Sequence, residues 1–316
     1  MKRWDWTWDD PTKSASVEPE PPRPAPPRLH QIRRRRAIGA LALLAIVVLV
    51  LVLVLAAGGR GGARHARPRA HAPAPVRLSA AEQTALIHRE EDHAIDSVLA
   101  YAPAVVQGGP KGNEVALTFD DGPGPYTTQL VDKLNQLHVR ATFFAIGFEE
   151  QYFSAGTLAE LRSGDVVGNH TQSHPLLAHL SKHAQREQLL DQTYRIQLLG
   201  GPTPRLFRPP YGSFNADTLH QLRSLHMLMV LWSTDTGDYE RPGAAAIAER
   251  ALAGVHPGSI ILLHDAGGNR TQTIAALPAI IHGLRIRGLH PVTVPRLLLD
   301  DPPPPGQRIP TTLAEG

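Results

Sequence analysis

Between residues 114 and 294 the chain alternates between short apolar runs and longer stretches whose apolar positions recur at helical spacing. The runs are VALTF (115–119), RATFFAIG (140–147), DVVGNH (165–170), RLFR (205–208), MLMVLWST (227–234), SIILLHD (259–265) and HPVTV (290–294). Helical stretches lie near 127–138, 153–163, 180–199, 215–225, 243–254 and 271–287. Seven strands separated by helices predict an α/β fold: a parallel sheet covered on both faces, or a barrel. Ahead of the first run, Ser79 and Glu82 form an S-x-x-E capping box. It starts a helix predicted to reach about Ala100.

The longest apolar segment lies outside this alternation. Ala37 to Ala57 is 21 residues without a charge, about 31 Å as a helix and close to the hydrocarbon thickness of a bilayer. Arg33 to Arg36 precede it, which favours a cytoplasmic N-terminus and an external C-terminal bulk. Arg60, Arg64, Arg67 and Arg69 on the far side weaken that bias without reversing it. A cleavable signal peptide is the rival reading, but its apolar region spans about 7–15 residues, so an uncleaved anchor is preferred. Residues 1–36 are predicted to form a disordered cytoplasmic tail, in which Trp4, Trp6 and Trp8 have no assignable chemistry. Residues 37–57 form the transmembrane helix and 58–78 a flexible stalk. A lead-in follows at 79–112, the catalytic domain at 113–297, and a disordered tail at 298–316.

Composition changes this picture in two ways. The chain of 316 residues has no cysteine, which excludes a disulfide framework, a thiolate nucleophile and a cysteine zinc site. The formal charge of +3 conceals a split, because residues 79–316 carry 18 Lys and Arg against 24 Asp and Glu. A basic nucleic-acid-binding face on the main domain is therefore not expected.

In parallel α/β folds the chemistry gathers at the carboxyl ends of the strands. Here five strand exits deliver polar residues: Asp120-Asp121, His170 to His174 (HTQSH), Arg208 to Gly212 (RPPYG), Asp235 to Tyr239 (DTGDY) and His264-Asp265. Asp-Gly-Pro after the first strand is also ordinary turn chemistry. His170 and His174 have the spacing that one metal ion wants, with Pro175 favouring a loop over a long helix. A second pair, His179 and His183, sits among Gln, Lys and Arg and reads as a solvated face. HTQSH lacks the glutamate of a zincin. One Asp and two His fill the three-ligand pattern of a catalytic zinc and leave the other Asp as a base, with His264 as the proton donor. Arg208 equally suits a structural ion pair, and Pro209-Pro210 a rigid turn.

In this order, TFDDGP, HTQSH, RPPYG, DTGDY and LLHD resemble the five motifs of the NodB-homology polysaccharide deacetylases, carbohydrate esterase family four. The resemblance spans about residues 113–297. It implies a distorted (β/α) barrel of about seven strands, here preceded by one transmembrane helix. It further implies Asp120 as general base, with Asp121, His170 and His174 holding a divalent metal, usually zinc, with cobalt, nickel or manganese as substitutes. Arg208 would orient Asp120, and Asp235 would pair with His264, the general acid. Asp238 would support Arg208, the Tyr211 N–H would bind the oxyanion, and Leu262 would line the acetyl pocket. Tyr239 departs from the family's usual tryptophan and would wall the groove. The implied reaction is N-deacetylation of a cell-wall or extracellular polysaccharide, peptidoglycan in the first instance. The implied partners are that glycan and the membrane, with no nucleic acid and no protein partner. An O-acetyl esterase acting on xylan or another glycan keeps the same site, and a silent wall-binding protein is the non-enzymatic alternative.

Overall fold

The computed structural model describes residues 79–309. The predicted tail, membrane segment and stalk lie outside the described residues. Among the described residues no helix is long and apolar enough to cross a membrane. Helix α1, Ala80–Leu99, opens with the capping box: Ser79 Oγ accepts from the Glu82 N–H, and the Glu82 carboxylate accepts from the Ser79 N–H at 2.8 Å.

Nine strands form one sheet: β1 (Ala104–Val105), β2 (Glu114–Asp120), β3 (Thr142–Ala145), β4 (Val166–Asn169), β5 (Leu206–Phe207), β6 (Leu228–Val230), β7 (Thr234–Asp235), β8 (Ile260–His264) and β9 (His290–Val292). Their order is β1-β6-β5-β4-β3-β2-β8-β7, all pairs are parallel, and β9 joins the first half of β2. The ends β1 and β7 are not paired with each other, so among the described residues the barrel stays open. Between the strands lie α2 (Thr127–Gln136), α3 (Gly147–Tyr152), α4 (Ser154–Ser163), α5 (Lys182–Leu198), α6 (Ala216–Ser224), α7 (Ala244–Leu252) and α8 (Thr271–Ile286); α9 (Val294–Asp300) follows β9.

Period-two alternation along β2 divides the interior. Val115, Leu117 and Phe119 share one buried cluster with Leu130 and Leu134 of α2 and with Leu277 and Ile281 of α8. Ala116 belongs to a second cluster with Phe144, Leu228, Val230 and Ile260, closed by Ile95 and Val98 of α1 and Leu297 and Leu298 of α9. Thr118 and Asp120 continue the Ala116 face toward the strand exits. The register places Asp120 opposite both Phe144 and His264, and Asn169 opposite Phe207, so the exits of β2, β4, β5 and β8 come level.

Three differences from the sequence reading have physical causes. The single run MLMVLWST becomes two strands, because β6 pairs with β5 and β1 while β7 pairs with β8. Across that break the carbonyls of Val230 and Leu231 accept from the buried Arg208 side chain. Helix α3 begins at Gly147, the last residue of the predicted run RATFFAIG, since the N–H groups of Gly147 and Phe148 bond to Thr171 and Gln172 carbonyls instead of extending the ladder. The fold also continues past residue 297. Leu298 is buried, Asp301 accepts from the Lys111 and Gly112 N–H groups, and the Gln307 side chain bonds Val106 and Gln107.

Gly168 in β4 has no room for a side chain: a Cβ there would lie 2.8 Å from the Phe144 ring and 3.1 Å from the Leu206 carbonyl. Gly168→Ala is expected to destabilise the domain by about 1–3 kcal/mol. Chemical denaturation measures this, and an unchanged midpoint would refute the tight β3–β4–β5 packing.

Candidate active site

The sequence-predicted residues at the exits of β2, β4, β5 and β8 converge. Arg208, immediately after β5, has no exposed surface. Its Nε donates to the Val230 carbonyl and its Nη2 to the Leu231 carbonyl, each at 3.0 Å. Its Nη1 donates at 2.8 Å to both Thr118 Oγ1 and Asp120 Oδ1. The guanidinium lies 4.3 Å from the centroid of the Phe144 ring. A buried cation is tolerated only when its donors are satisfied and a countercharge is near, and Asp120 is that countercharge. The pair fixes the carboxylate by one oxygen, while Oδ2 lies 3.8 Å from His170 Nε2.

Asp121 turns the other way because its φ is +73°. Its Oδ1 lies 3.5 Å from His170 Nε2 and 3.1 Å from His174 Nε2. Residues 170–174 form a loop, with Thr171 and His174 both at positive φ and the His174 N–H bonded to Thr171 Oγ1. His170 Nδ1 donates to the Arg208 carbonyl at 2.7 Å, which leaves the Nε2 lone pair directed to the cluster. Burial lowers the His174 pKa against the opposing charge of Asp121, favouring the neutral imidazole that binds metals. Burial would raise the Asp121 carboxyl, yet the facing His174 and His170 rings hold it well below its ordinary value. One ligand atom from each of these three residues lies within 4.8 Å of the others. A carboxylate and two imidazoles so placed fit a divalent cation of the zinc type.

Across the site, His264 ends β8. The structure pairs it with Asp238, not with the expected Asp235. Asp238 Oδ1 accepts from His264 Nδ1 at 2.7 Å, and its Oδ2 accepts from the His264 N–H at 2.9 Å and from Thr273 Oγ1 at 2.7 Å. Asp235 sits in register with Leu262, two residues too early, and is exposed, accepting from the Gly237 N–H. Gly237, at φ +58°, turns the chain so that the buried Asp238 returns beneath the end of β8. Nor does Asp238 hold Arg208, whose hydrogen bonds go to Thr118, Asp120 and two main-chain carbonyls. Burial would depress the His264 pKa, but the Asp238 carboxylate raises it to about 9.

Two of the remaining predicted positions flank this centre. The Tyr211 ring, about a third exposed, stands edge-on to His174 with centroids 4.6 Å apart, and Tyr239 stands edge-on to His264 at 5.4 Å. Leu262 is buried in β8. Two residues given no role in the sequence reading also belong here. Asp265 is wholly buried, accepts from Thr127 Oγ1, and is pushed up to about 7 by burial and by Asp121 and Asp120. Arg270, 2% exposed, donates to the main-chain carbonyls of Ala266, Gly267 and Asp238. Neither carries a motif: Asp265 reads as a turn after a strand, and Arg270 as an ordinary loop cation.

A profile of the family described as polysaccharide deacetylase matches residues 107–230. The chain is 38% identical over 186 residues to a peptidoglycan-N-acetylglucosamine deacetylase of Bacillus cereus, covering 58% of this chain and 68% of that protein. It is 36% identical over 202 residues to a chitooligosaccharide deacetylase of Sinorhizobium fredii, covering 60% of this chain and 94% of that one. Among solved structures it is similar to the Bc1960 peptidoglycan N-acetylglucosamine deacetylase, with a TM-score of 0.61 and 36% identity, covering 63% of this chain and 94% of that one.

The Asp238 pairing has a measurable sign. A histidine whose folded pKa is raised from 6.5 to about 9 stabilises the fold fully below pH 6.5 and loses that contribution as pH rises through 9. NMR titration of His264 is expected to give a midpoint near 9 in the native protein. Asp238→Asn should bring it below the ordinary imidazole value of about 6.5, because burial then dominates, while Asp235→Asn should move it by less than about one unit. The opposite ranking would restore Asp235 as the partner.

Proposed function

Because the chain belongs to the polysaccharide deacetylase family, carbohydrate esterase family four, we propose that it removes N-acetyl groups from cell-wall polysaccharide and releases acetate. The observation that carries this reading is one shared rim. Asp120 is fixed by Arg208 at 2.8 Å beside the Asp121–His170–His174 cluster, and a histidine raised to about 9 stands at the next strand exit.

A divalent cation bound by Asp121, His170 and His174 would supply Lewis acidity toward the amide carbonyl and the attacking water. Asp120 accepts the proton of that water as general base, its free oxygen facing the cluster while Arg208 restrains the other. Oxygen adds to the carbonyl carbon, and the Tyr211 N–H serves as a donor to the developing oxyanion, an interaction of order 3 kcal/mol per donor. The carbon–nitrogen bond then breaks as His264 Nε2 delivers its proton to nitrogen. Asp238 stabilises the imidazolium before transfer. An amine leaves poorly without that proton, so a raised His264 suits an amide more than an ester. Leu262 lines the acetyl pocket, and Tyr239, beside His264, walls the groove for a sugar ring.

Peptidoglycan, through its N-acetylglucosamine or N-acetylmuramic acid residues, is the proposed substrate. Two considerations support it: similarity to a peptidoglycan-N-acetylglucosamine deacetylase, and the uncharged segment 37–57 after Arg33–Arg36, which would hold the domain outside the membrane beside the wall.

Acetate release from peptidoglycan, N-acetylated chitin oligomers and O-acetylated xylan tests the assignment. The expected result is turnover of peptidoglycan, little of xylan, loss with chelator and recovery with zinc. Asp120→Asn should lower kcat at least about 100-fold while zinc still binds. Preference for xylan would make the protein an esterase. Zinc binding without turnover of any glycan would make it a binding protein.

A further inference from the structure

Arg270 begins the turn into α8 and, with Arg208, is among the largest fully buried side chains of the domain. Arg208 has a carboxylate partner, whereas the Arg270 side chain donates to main-chain carbonyls: Nε to Ala266 at 2.7 Å, Nη2 to Gly267 at 2.8 Å and Nη1 to Asp238 at 3.2 Å. Burying a guanidinium costs several kcal/mol, and an apolar side chain of similar volume would pack such a turn at less cost. The placement therefore calls for a role that needs the charge and the fork of donors.

Those donors join two segments that serve opposite halves of the site. One is the turn after β7 that carries Asp238, the partner of His264. The other is the turn after β8, where Gly267, at φ +70°, runs so close to the cluster that a Cβ would lie 2.7 Å from Asp121 Oδ2. Thr273, one turn into α8, bonds Asp238 Oδ2 from the same helix start. We infer that Arg270 is a positioning residue of the hydrolytic site, tying the turn of Asp238 to the turn over Asp121. It thereby sets the separation between the proton donor and the cation cluster. Its charge also favours the ionised Asp238, on which the His264 imidazolium depends. This role rests on the deacetylase reading above.

The test compares Arg270→Met and Arg270→Lys at saturating zinc, each alone and combined with Asp238→Asn. Arg270→Met is expected to lower kcat roughly 30-fold with KM within about twofold, and Arg270→Lys to recover part of the loss. In the Asp238→Asn background the same change should cost less than about threefold, because the partner through which it acts is gone. Equal losses in both backgrounds would reduce Arg270 to a structural residue and overturn the inference, as would no loss. If Arg270→Met does not fold, Arg270→Lys and Thr273→Val carry the cycle under the same criteria. NMR titration of His264 adds a readout that needs no substrate: its acid dissociation constant should rise roughly tenfold in Arg270→Met, as Asp238 moves off Nδ1, and by less in Arg270→Lys. An unchanged titration overturns the brace whatever the activity. A normal titration in a wild-type protein that releases acetate from no glycan overturns the deacetylase reading instead.

Discussion

A guanidinium with no exposed surface at the mouth of a parallel sheet must be answered from every side, and the way Arg208 is answered organises the domain. Two acceptors are carbonyls at the break between β6 and β7, a third is the Thr118 hydroxyl, and the fourth is Asp120 at the end of β2. The Arg208 carbonyl in turn accepts from His170 Nδ1. One residue thus holds the proposed base through its side chain and sets the tautomer of a cluster histidine through its backbone. Neither bond tolerates a shift of β5 relative to β2 and β4. Strand register becomes a chemical requirement as well as a packing one.

The three histidines of the site show how neighbours divide one residue type between opposite tasks. His170 is oriented by a carbonyl, and His174 is kept toward neutrality by burial beside Asp121, the state in which imidazole has a lone pair to give. His264 is equally enclosed, but both oxygens of Asp238 bond to it, so it is raised and keeps a proton to donate. Burial alone would lower the pKa of both His174 and His264. The partner given to each one decides its role: a carbonyl for His170, burial beside Asp121 for His174 and the Asp238 carboxylate for His264.

Much of this was legible in the sequence because strand exits are legible. Apolar runs ending in Asp120-Asp121, HTQSH, RPPYG and His264 predicted which residues would share a rim, and the parallel register brings them there. The choice between Asp235 and Asp238 was not legible. It turns on a left-handed Gly237 and on a strand that breaks in the middle of an unbroken apolar run. Arg270 and Asp265 were not legible either, since nothing local distinguishes a loop arginine bound for the interior from a solvated one. The end of helix α9 and the pinned segment through Gln307 lay in a tail predicted to be disordered from residue 298, although Asp301 and Gln307 supply acceptors for the lead-in backbone.

The charges of the site argue for its cation independently of the motifs. Asp120, Asp121, Asp238 and Asp265 are all nearly or wholly enclosed, against Arg208, Arg270 and the His264 imidazolium. Arg208 and His264 answer Asp120 and Asp238, and Arg270 is bound to main-chain carbonyls. Asp121 is left to two imidazoles, of which His174 is pushed toward neutrality, while Asp265 rises to about 7 beside it. Behind Asp265, burial raises the carboxyls of Glu160 and Glu150, the latter to about 8, so that side offers acids instead of countercharge. Asp121 is therefore held ionised by the imidazoles that face it, although burial opposes its charge. A divalent cation between Asp121, His170 and His174 would sit where one ligand atom from each already converges. A carboxylate kept ionised beside two convergent imidazoles is the donor set that such a cation would take.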